Sequence, residues 1–169
     1  MKSSERTLEQ ADRFHLNAAS GWIGLGDLDS ARAELSQISP WQRLHPEVLL
    51  VHGELFFADE DWKSLVELSA DLIENFPKLE PLWIQRSYAL HELRRTQEAF
   101  DQLLPATRKF RNSWLIRYNL ACYCSRLGNS TEALRLLRKA MELANVAQIK
   151  EMALDDPDFA ALREKIRQM

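Results

Sequence analysis

Apolar residues recur along the chain at steps of three and four, the spacing that places side chains on one side of an α-helix. The pattern is clearest in VLLVHGELFF, SLVELSADLIENF and EALRLLRKAMEL. Breaks between these segments are short, and glycine and proline are scarce, with 5 and 6 residues. No Asn-Gly or Asp-Gly turn separates alternating runs, as a β-hairpin would require. The sequence therefore predicts an all-α protein.

A short turn signal sets the register of an internal repeat. Gly26-Asp27 is followed by Ala31, and Gly128-Asn129 is followed at the same step by Ala133. The two glycines lie 102 residues apart, which is three intervals of 34. The chain can then be cut, without insertion or deletion, into the four blocks 12–45, 46–79, 80–113 and 114–147.

Equivalent positions of the four blocks carry similar residues. The eighth position is always small, which lets two helices approach closely: Ala19, Gly53, Ser87 and Ala121. The eleventh is mostly larger and is predicted to be core: Trp22, Phe56, Leu90 and Cys124. The twentieth is apolar, as expected for a second helix: Ala31, Leu65, Ala99 and Ala133. The twenty-seventh is apolar as well: Ile38, Leu72, Ala106 and Ala140.

These blocks resemble the tetratricopeptide repeat, a helix-turn-helix unit of 34 residues. The resemblance is strongest in the fourth block, whose matching positions are Leu120, Ala121, Leu127, Gly128, Ala133, Leu137 and Ala140. Blocks two and three depart from it, because Glu60 and Arg94 replace the turn glycine. The resemblance implies a right-handed α-solenoid of four repeats, with the first helix of each repeat lining a concave side.

Three further features complete the predicted organisation. Residues 1–11 form an N-terminal segment that is loose or extends the first helix, and residues 148–169 form a C-terminal capping helix. Asp156-Pro157 is a helix start signal, and Phe159, Leu162 and Ile166 would cover the last repeat. Pro105 lies inside a predicted helix and should kink or end it, because proline removes an amide donor and clashes one turn back.

The resemblance also implies which positions line the concave groove. The candidate partner-binding residues are Leu16, Ser20, Ile23, Leu50, Glu54, Phe57, Ile84, Tyr88, His91, Tyr118, Cys122 and Arg126. Most are apolar or aromatic, which suits an apolar peptide or an amphipathic helix of another protein. Alternatively, the groove is covered by the protein's own N-terminal segment, by its C-terminal helix or by a second copy.

Composition and charge exclude several classes of protein. Lys and Arg number 22 against 25 Asp and Glu, so the chain lacks the basic excess of a nucleic-acid binder. No apolar run is long enough to cross a membrane, and the first residues lack a secretory signal, so a cytoplasmic location is predicted. Cys122 and Cys124 point to opposite sides of a helix, and no histidine pattern completes a ligand set, so no metal or cofactor is predicted.

No pattern combines a nucleophile, a base and an orienting group, so no catalytic residue is predicted. The sequence favours a noncatalytic adaptor or scaffold that binds another protein or a peptide of unknown identity. Two alternatives stay open: a chaperone-like holder of a client protein, and a self-associating structural protein that forms a homo-oligomer.

Overall fold

A computed structural model describes residues 7–169 of the chain. This range consists of α-helices, one 3-10 helix and short connections, and no strand occurs in it. The all-α prediction is therefore confirmed. The part of the predicted N-terminal segment that precedes Thr7 lies outside the described residues. Among residues 7–169, no helix combines the length and the apolar character needed to cross a bilayer.

The chain forms two compact units, Met1–Leu72 and Ile73–Met169. The first contains α1 (Gln10–Leu25), α2 (Leu28–Ser36), α3 (Pro46–Ala58) and most of α4 (Trp62–Asn75). The second contains α5 (Glu80–Glu92), α6 (Thr96–Leu103), α7 (Ala106–Lys109), α8 (Trp114–Arg126), α9 (Ser130–Leu143), α10 (Val146–Asp155), a 3-10 helix (Pro157–Leu162) and α11 (Arg163–Arg167).

Helical hairpins are the building blocks of both units. In the first unit α1 packs against α2, and α3 contacts both of them. In the second unit α5 packs against α6 and α8 against α9, while α5 and α6 both contact α8. Within each unit, the later first helix, α3 or α8, is therefore covered by the hairpin that precedes it, as in a helical repeat.

The turn inside each hairpin has the same backbone conformation in all four blocks. It places one residue in the left-handed region, with φ values of 78°, 56°, 64° and 81° for Gly26, Glu60, Arg94 and Gly128. The N–H of the next residue donates to a carbonyl five residues earlier, the mark of a Schellman motif. The four bonds measure 2.8–3.0 Å and join Asp27 to Trp22, Asp61 to Phe56, Arg95 to Leu90 and Asn129 to Cys124.

The small and apolar repeat positions lie in the core. All residues predicted at the eighth, twentieth and twenty-seventh positions are buried. Trp22, at the eleventh position, is an exception to the predicted core, because its side chain is 37% exposed. Its counterpart Phe56 faces α2, the preceding second helix, across a cavity that also borders Leu35. No described helix lies in the equivalent place beside Trp22.

The second helix of the third block is interrupted at Pro105, as the sequence predicts. α6 ends at Leu103, and α7 begins at Ala106. The amides of Thr107 and Arg108 donate to carbonyls only three residues earlier, at 3.2 Å each. Proline therefore divides this second helix into two shorter ones.

The C-terminal segment differs from the single capping helix that was predicted. It consists of α10, the 3-10 helix and α11. Asp156 caps the 3-10 helix, because its Oδ1 accepts a hydrogen bond of 2.8 Å from the amide of Asp158. Phe159, Leu162 and Ile166 are buried, as expected of residues that cover the last repeat.

Candidate partner-binding site

The candidate groove residues fall into two sets, each carried by two helices that contact each other. The first-unit face consists of Leu16, Ser20 and Ile23 on α1 with Leu50, Glu54 and Phe57 on α3. The second-unit face consists of Ile84, Tyr88 and His91 on α5 with Tyr118, Cys122 and Arg126 on α8.

The first-unit face offers apolar side chains from both of its helices. Leu16 is buried in the core and supports the fold. Ser20, Ile23 and Leu50 are half-buried, whereas Glu54 and Phe57 are exposed. The ring of Phe57 packs edge-on against Trp62, with 5.5 Å between the ring centroids. Ile23, Leu50 and Phe57 are thus the apolar side chains that this face presents to solvent.

The charges at the edge of this face neutralise each other. Arg13 on α1 donates to both carboxylate oxygens of Glu47 on α3, at 3.0 and 3.4 Å. Both side chains are nearly half exposed, so the pair adds at most about 1 kcal/mol to stability. The pair links the N-terminal ends of α1 and α3. Among the six residues of the first-unit face, Glu54 carries the charge.

The second-unit face is contacted by the chain's own C-terminal segment. Tyr118 Oη donates a hydrogen bond of 2.9 Å to Asp156 Oδ2, and Cys122 Sγ donates to the same oxygen at 3.4 Å. The ring of Phe159 meets that of Tyr118 edge-on, with 5.6 Å between centroids. The residues that start the 3-10 helix therefore lie over the middle of α8.

Asp158 extends this contact to α5 and to the end of α8. Its Oδ2 lies 3.0 Å from His91 Nε2, and its Oδ1 lies 3.6 Å from Arg126 Nε. Ser125 Oγ donates to the backbone carbonyl of Asp158 at 2.7 Å. His91 is oriented from its other side, because Nδ1 lies 3.0 Å from the hydroxyl of Thr96.

The sequence left open whether the protein's own C-terminal segment covers the groove. In the second-unit face, this segment does cover part of it. The C-terminal segment covers His91, Tyr118 and Cys122, which are all at most 7% exposed. Their role as contacts for a foreign partner stays a prediction, because a partner would have to displace this segment to reach them. Ile84 is half-buried and Tyr88 is 37% exposed, so both remain accessible.

Sequence reasoning missed the contact between Asp156, Asp158 and α8. The sequence predicts a helix start at Asp156-Pro157, which is confirmed, and a covering role for Phe159, but no contact of the two carboxylates. In the structure Asp156 caps the 3-10 helix, and Asp158, two residues later, faces His91 and Arg126. No local pattern shows which helix such carboxylates will meet.

Burial and these carboxylates raise the pKa values of neighbouring acidic groups. The pKa of the Cys122 thiol rises well above its usual value because of burial and then because of Asp156 and Asp158. Burial, with smaller contributions from Cys122 and Asp156, also raises the pKa of Tyr118. Both groups therefore stay protonated at neutral pH and donate hydrogen bonds. A protonated, buried thiol is a poor nucleophile.

One group of side chains has the composition of a metal site. Cys122 Sγ and a carboxylate oxygen from each of Asp156 and Asp158 lie within 4.8 Å of one another. Ligation would require the thiolate form of Cys122, which its raised pKa opposes. Asp156 already accepts hydrogen bonds from Tyr118 and from the amide of Asp158, and Asp158 Oδ2 lies 3.0 Å from His91 Nε2. The expectation that no metal or cofactor binds stays a prediction.

A cavity of about 570 Å³ lies beside the C-terminal segment. Its walls include Tyr88, Glu92, Asn119 and Arg126, together with Asp156 and Asp158. Tyr88 and Arg126 are at least partly exposed, so the cavity reaches the surface. It leaves room for side chains of a partner next to the part of the second-unit face that the chain covers itself.

Comparison with known proteins finds a distant curated relative and solved structures of similar fold. No protein-family model matches it. A curated relative, the peroxisomal targeting signal receptor of Debaryomyces hansenii, is 26% identical over 143 residues, which is 85% of this chain. The chain spans only 23% of the length of that relative.

Solved structures of MamA, a tetratricopeptide-repeat protein, share the fold. MamA AMB-1 C2221 superimposes with a TM-score of 0.67 at 22% identity, over 79% of this chain and 78% of the other. MamA MSR-1 C2 gives a TM-score of 0.69 at 20% identity, over 85% of this chain and 80% of the other. At these identities the similarity establishes the fold alone.

Proposed function

We propose that this chain, which has the fold of the tetratricopeptide repeat, is a noncatalytic protein-interaction module that serves as an adaptor or scaffold. Its ligand is an apolar peptide or amphipathic helix of another protein. The observation that carries the proposal is the first-unit face, where the apolar side chains of Ile23, Leu50 and Phe57 are accessible to solvent and are not fully buried in the core. Accessible apolar side chains that cluster on one face are typical of protein interaction sites.

The named relative supports the same kind of role. It is called a receptor for a peroxisomal targeting signal. In this chain the second-unit face adds Ile84 and Tyr88, beside a cavity large enough for partner side chains. A tyrosine suits such a site because its ring packs against apolar groups while its hydroxyl forms hydrogen bonds, as that of Tyr88 does with Glu92. A cytoplasmic location stays a prediction.

Affinity capture with matched variants tests the proposal. The chain is immobilised, incubated with extract of its native cells and washed, and captured proteins are identified by mass spectrometry. Leu50→Glu and Ile84→Glu each place a charge on one face, and each should lower capture of the specific partner at least about tenfold, since burying an unpaired charge costs several kcal/mol.

Two controls carry the same change outside the faces. Leu44→Glu alters a residue of the first unit that is 78% exposed, and Leu104→Glu alters one of the second unit that is 44% exposed. Far-UV circular dichroism verifies that every variant folds. A partner lost with the face variants and kept with the controls supports the proposal. Equal capture by all variants would show that neither face binds the partner.

A further inference from the structure

A cavity of about 400 Å³, the α2–α3 cavity, lies within the first unit between the second helix of block one and the first helix of block two. Its apolar walls are Leu35 on α2 with Leu55 and Phe56 on α3. Leu35 and Leu55 are buried, and Phe56 is half-buried. The polar groups Arg32, Arg43 and His52 complete the lining. This size, with apolar walls and a few polar groups, is typical of a small-molecule site.

Arg43 brings a fixed guanidinium to this cavity. Its Nε and Nη2 donate to the backbone carbonyls of Ile38 and Ser36, at 3.3 and 3.4 Å. These bonds satisfy carbonyls at the end of α2 and hold the guanidinium in place. The other N–H groups of the guanidinium remain for a further acceptor. Within residues 7–169, no carboxylate forms an ion pair with Arg43.

The charges around the cavity leave one cation uncompensated. Arg32 donates to Asp29 at 3.0 Å and to Asp59 at 2.5 Å, so carboxylates already neutralise it. Burial, and then the charge of Arg43, lowers the pKa of His52 below its usual value. The imidazole is therefore neutral at pH 7 and can donate a hydrogen bond. The excess of a single positive charge suits a monoanion better than a dianion such as phosphate.

We propose that the α2–α3 cavity binds a small monocarboxylate with an apolar chain. The carboxylate accepts hydrogen bonds from the remaining N–H groups of Arg43 and from the ring of His52. Arginine suits this ligand because its planar fork of N–H groups matches the two oxygens of a carboxylate. The apolar chain leaves water and packs against Leu35, Leu55 and Phe56.

This site is separate from the proposed partner-binding face of the same unit. At 100° per residue, His52, Leu55 and Phe56 lie on the side of α3 opposite to Leu50 and to the rest of the first-unit face. A ligand in the cavity and a partner on that face therefore approach α3 from different sides. Loss of one kind of binding leaves the other intact.

Isothermal titration of the 169-residue chain with octanoate measures the proposed binding. We expect a dissociation constant of about 0.1–1 mM, because a ligand with about ten non-hydrogen atoms gains a limited free energy of binding. Acetate lacks the apolar chain and 1-octanol lacks the charge. Each should therefore bind at least about tenfold more weakly than octanoate.

Arg43→Met removes the guanidinium and should weaken octanoate binding at least about tenfold, because charge-assisted hydrogen bonds are lost. Arg111→Met is the matched control. Arg111 holds the equivalent position of the third block, is exposed and does not line the cavity. Its replacement should leave the octanoate affinity unchanged. Far-UV circular dichroism verifies that both variants fold.

Nuclear magnetic resonance locates the ligand in the parent chain, without a substitution in the cavity. Octanoate should shift the ring resonances of His52 and raise its pKa, because a neighbouring carboxylate favours the imidazolium form. The resonances of His91, in the second unit, should not shift. His52→Gln assigns the signal by its loss.

Octanoate binding that is weakened by Arg43→Met, kept by Arg111→Met and felt by His52 supports the proposal. It would be overturned by the absence of saturable binding up to about 10 mM octanoate, ten times the weakest expected dissociation constant. Equal binding by the two arginine variants, equally tight binding of acetate or 1-octanol, or an unperturbed His52 would overturn it as well.

Discussion

Arg94→Gly should stabilise the protein, although it removes a large side chain from the surface. Arg94 holds φ at 64° in the turn between α5 and α6. The left-handed conformation costs a residue with a Cβ atom about 1–2 kcal/mol, whereas glycine adopts it freely. Glycine also loses about 0.5–1 kcal/mol more backbone entropy on folding. The expected net gain is therefore about 0.5–1 kcal/mol.

Thermal and urea unfolding, followed by far-UV circular dichroism, measure this gain. For a chain of this size it corresponds to a rise in Tm of about 1–4 °C. Arg94→Ala is the matched control, because it removes the guanidinium and keeps the Cβ atom, so its stability should stay near that of the parent. If alanine gave the same gain as glycine, the backbone explanation would be wrong.

The converse substitution uses the equivalent turn of the next block. Gly128→Arg should lower the free energy of unfolding by about 1 kcal/mol, because Gly128 has a φ of 81°. A Cβ atom at Gly128 would meet nothing within 4 Å, so a steric clash does not contribute. An unchanged stability of Gly128→Arg would refute the reasoning for both turns.

Two other predictions concern the C-terminal segment and the buried thiols. Phe159→Ala should lower the free energy of unfolding by about 3–5 kcal/mol, because this ring is fully buried; a loss below about 1 kcal/mol in urea unfolding would show that the segment is not docked. Burial raises the pKa of Cys124 from 9.0 to about 11. Because the folded state favours the neutral thiol, its contribution to stability is complete below pH 9 and is lost as pH rises towards 11. Urea midpoints from pH 8 to 11 should decline less in Cys124→Ala than in the parent.

The repeat positions and their burial could be predicted because they depend on local pattern. The close contacts between helices could be predicted from the small residues Ala19 and Ala121. The turns of two hairpins could be predicted from Gly26 and Gly128. Glu60 and Arg94 keep the same turn without glycine, because the hydrogen bond across it and the packing of both helices hold the backbone in place.

The remaining features depend on contacts between distant parts of the chain. Trp22 has the apolar character of a core residue, but its burial depends on whether another helix lies beside α1. The return of Asp156 and Asp158 onto α8 likewise has no local signal, because the same two residues would cap a helix that pointed elsewhere. Sequence pattern identifies candidate surfaces, and tertiary contacts decide which of them stay open.

Site-specific photo-cross-linking in native extract tests the proposed function most directly. A benzophenone amino acid replaces Phe57 on the first-unit face, Tyr88 on the second-unit face or Leu104 outside both faces, all of which are at least 37% exposed. We predict cross-links to a foreign polypeptide from Phe57 and Tyr88 and none from Leu104. Cross-links confined to Leu104, or formed only within the chain itself, would contradict a partner-binding role for these faces.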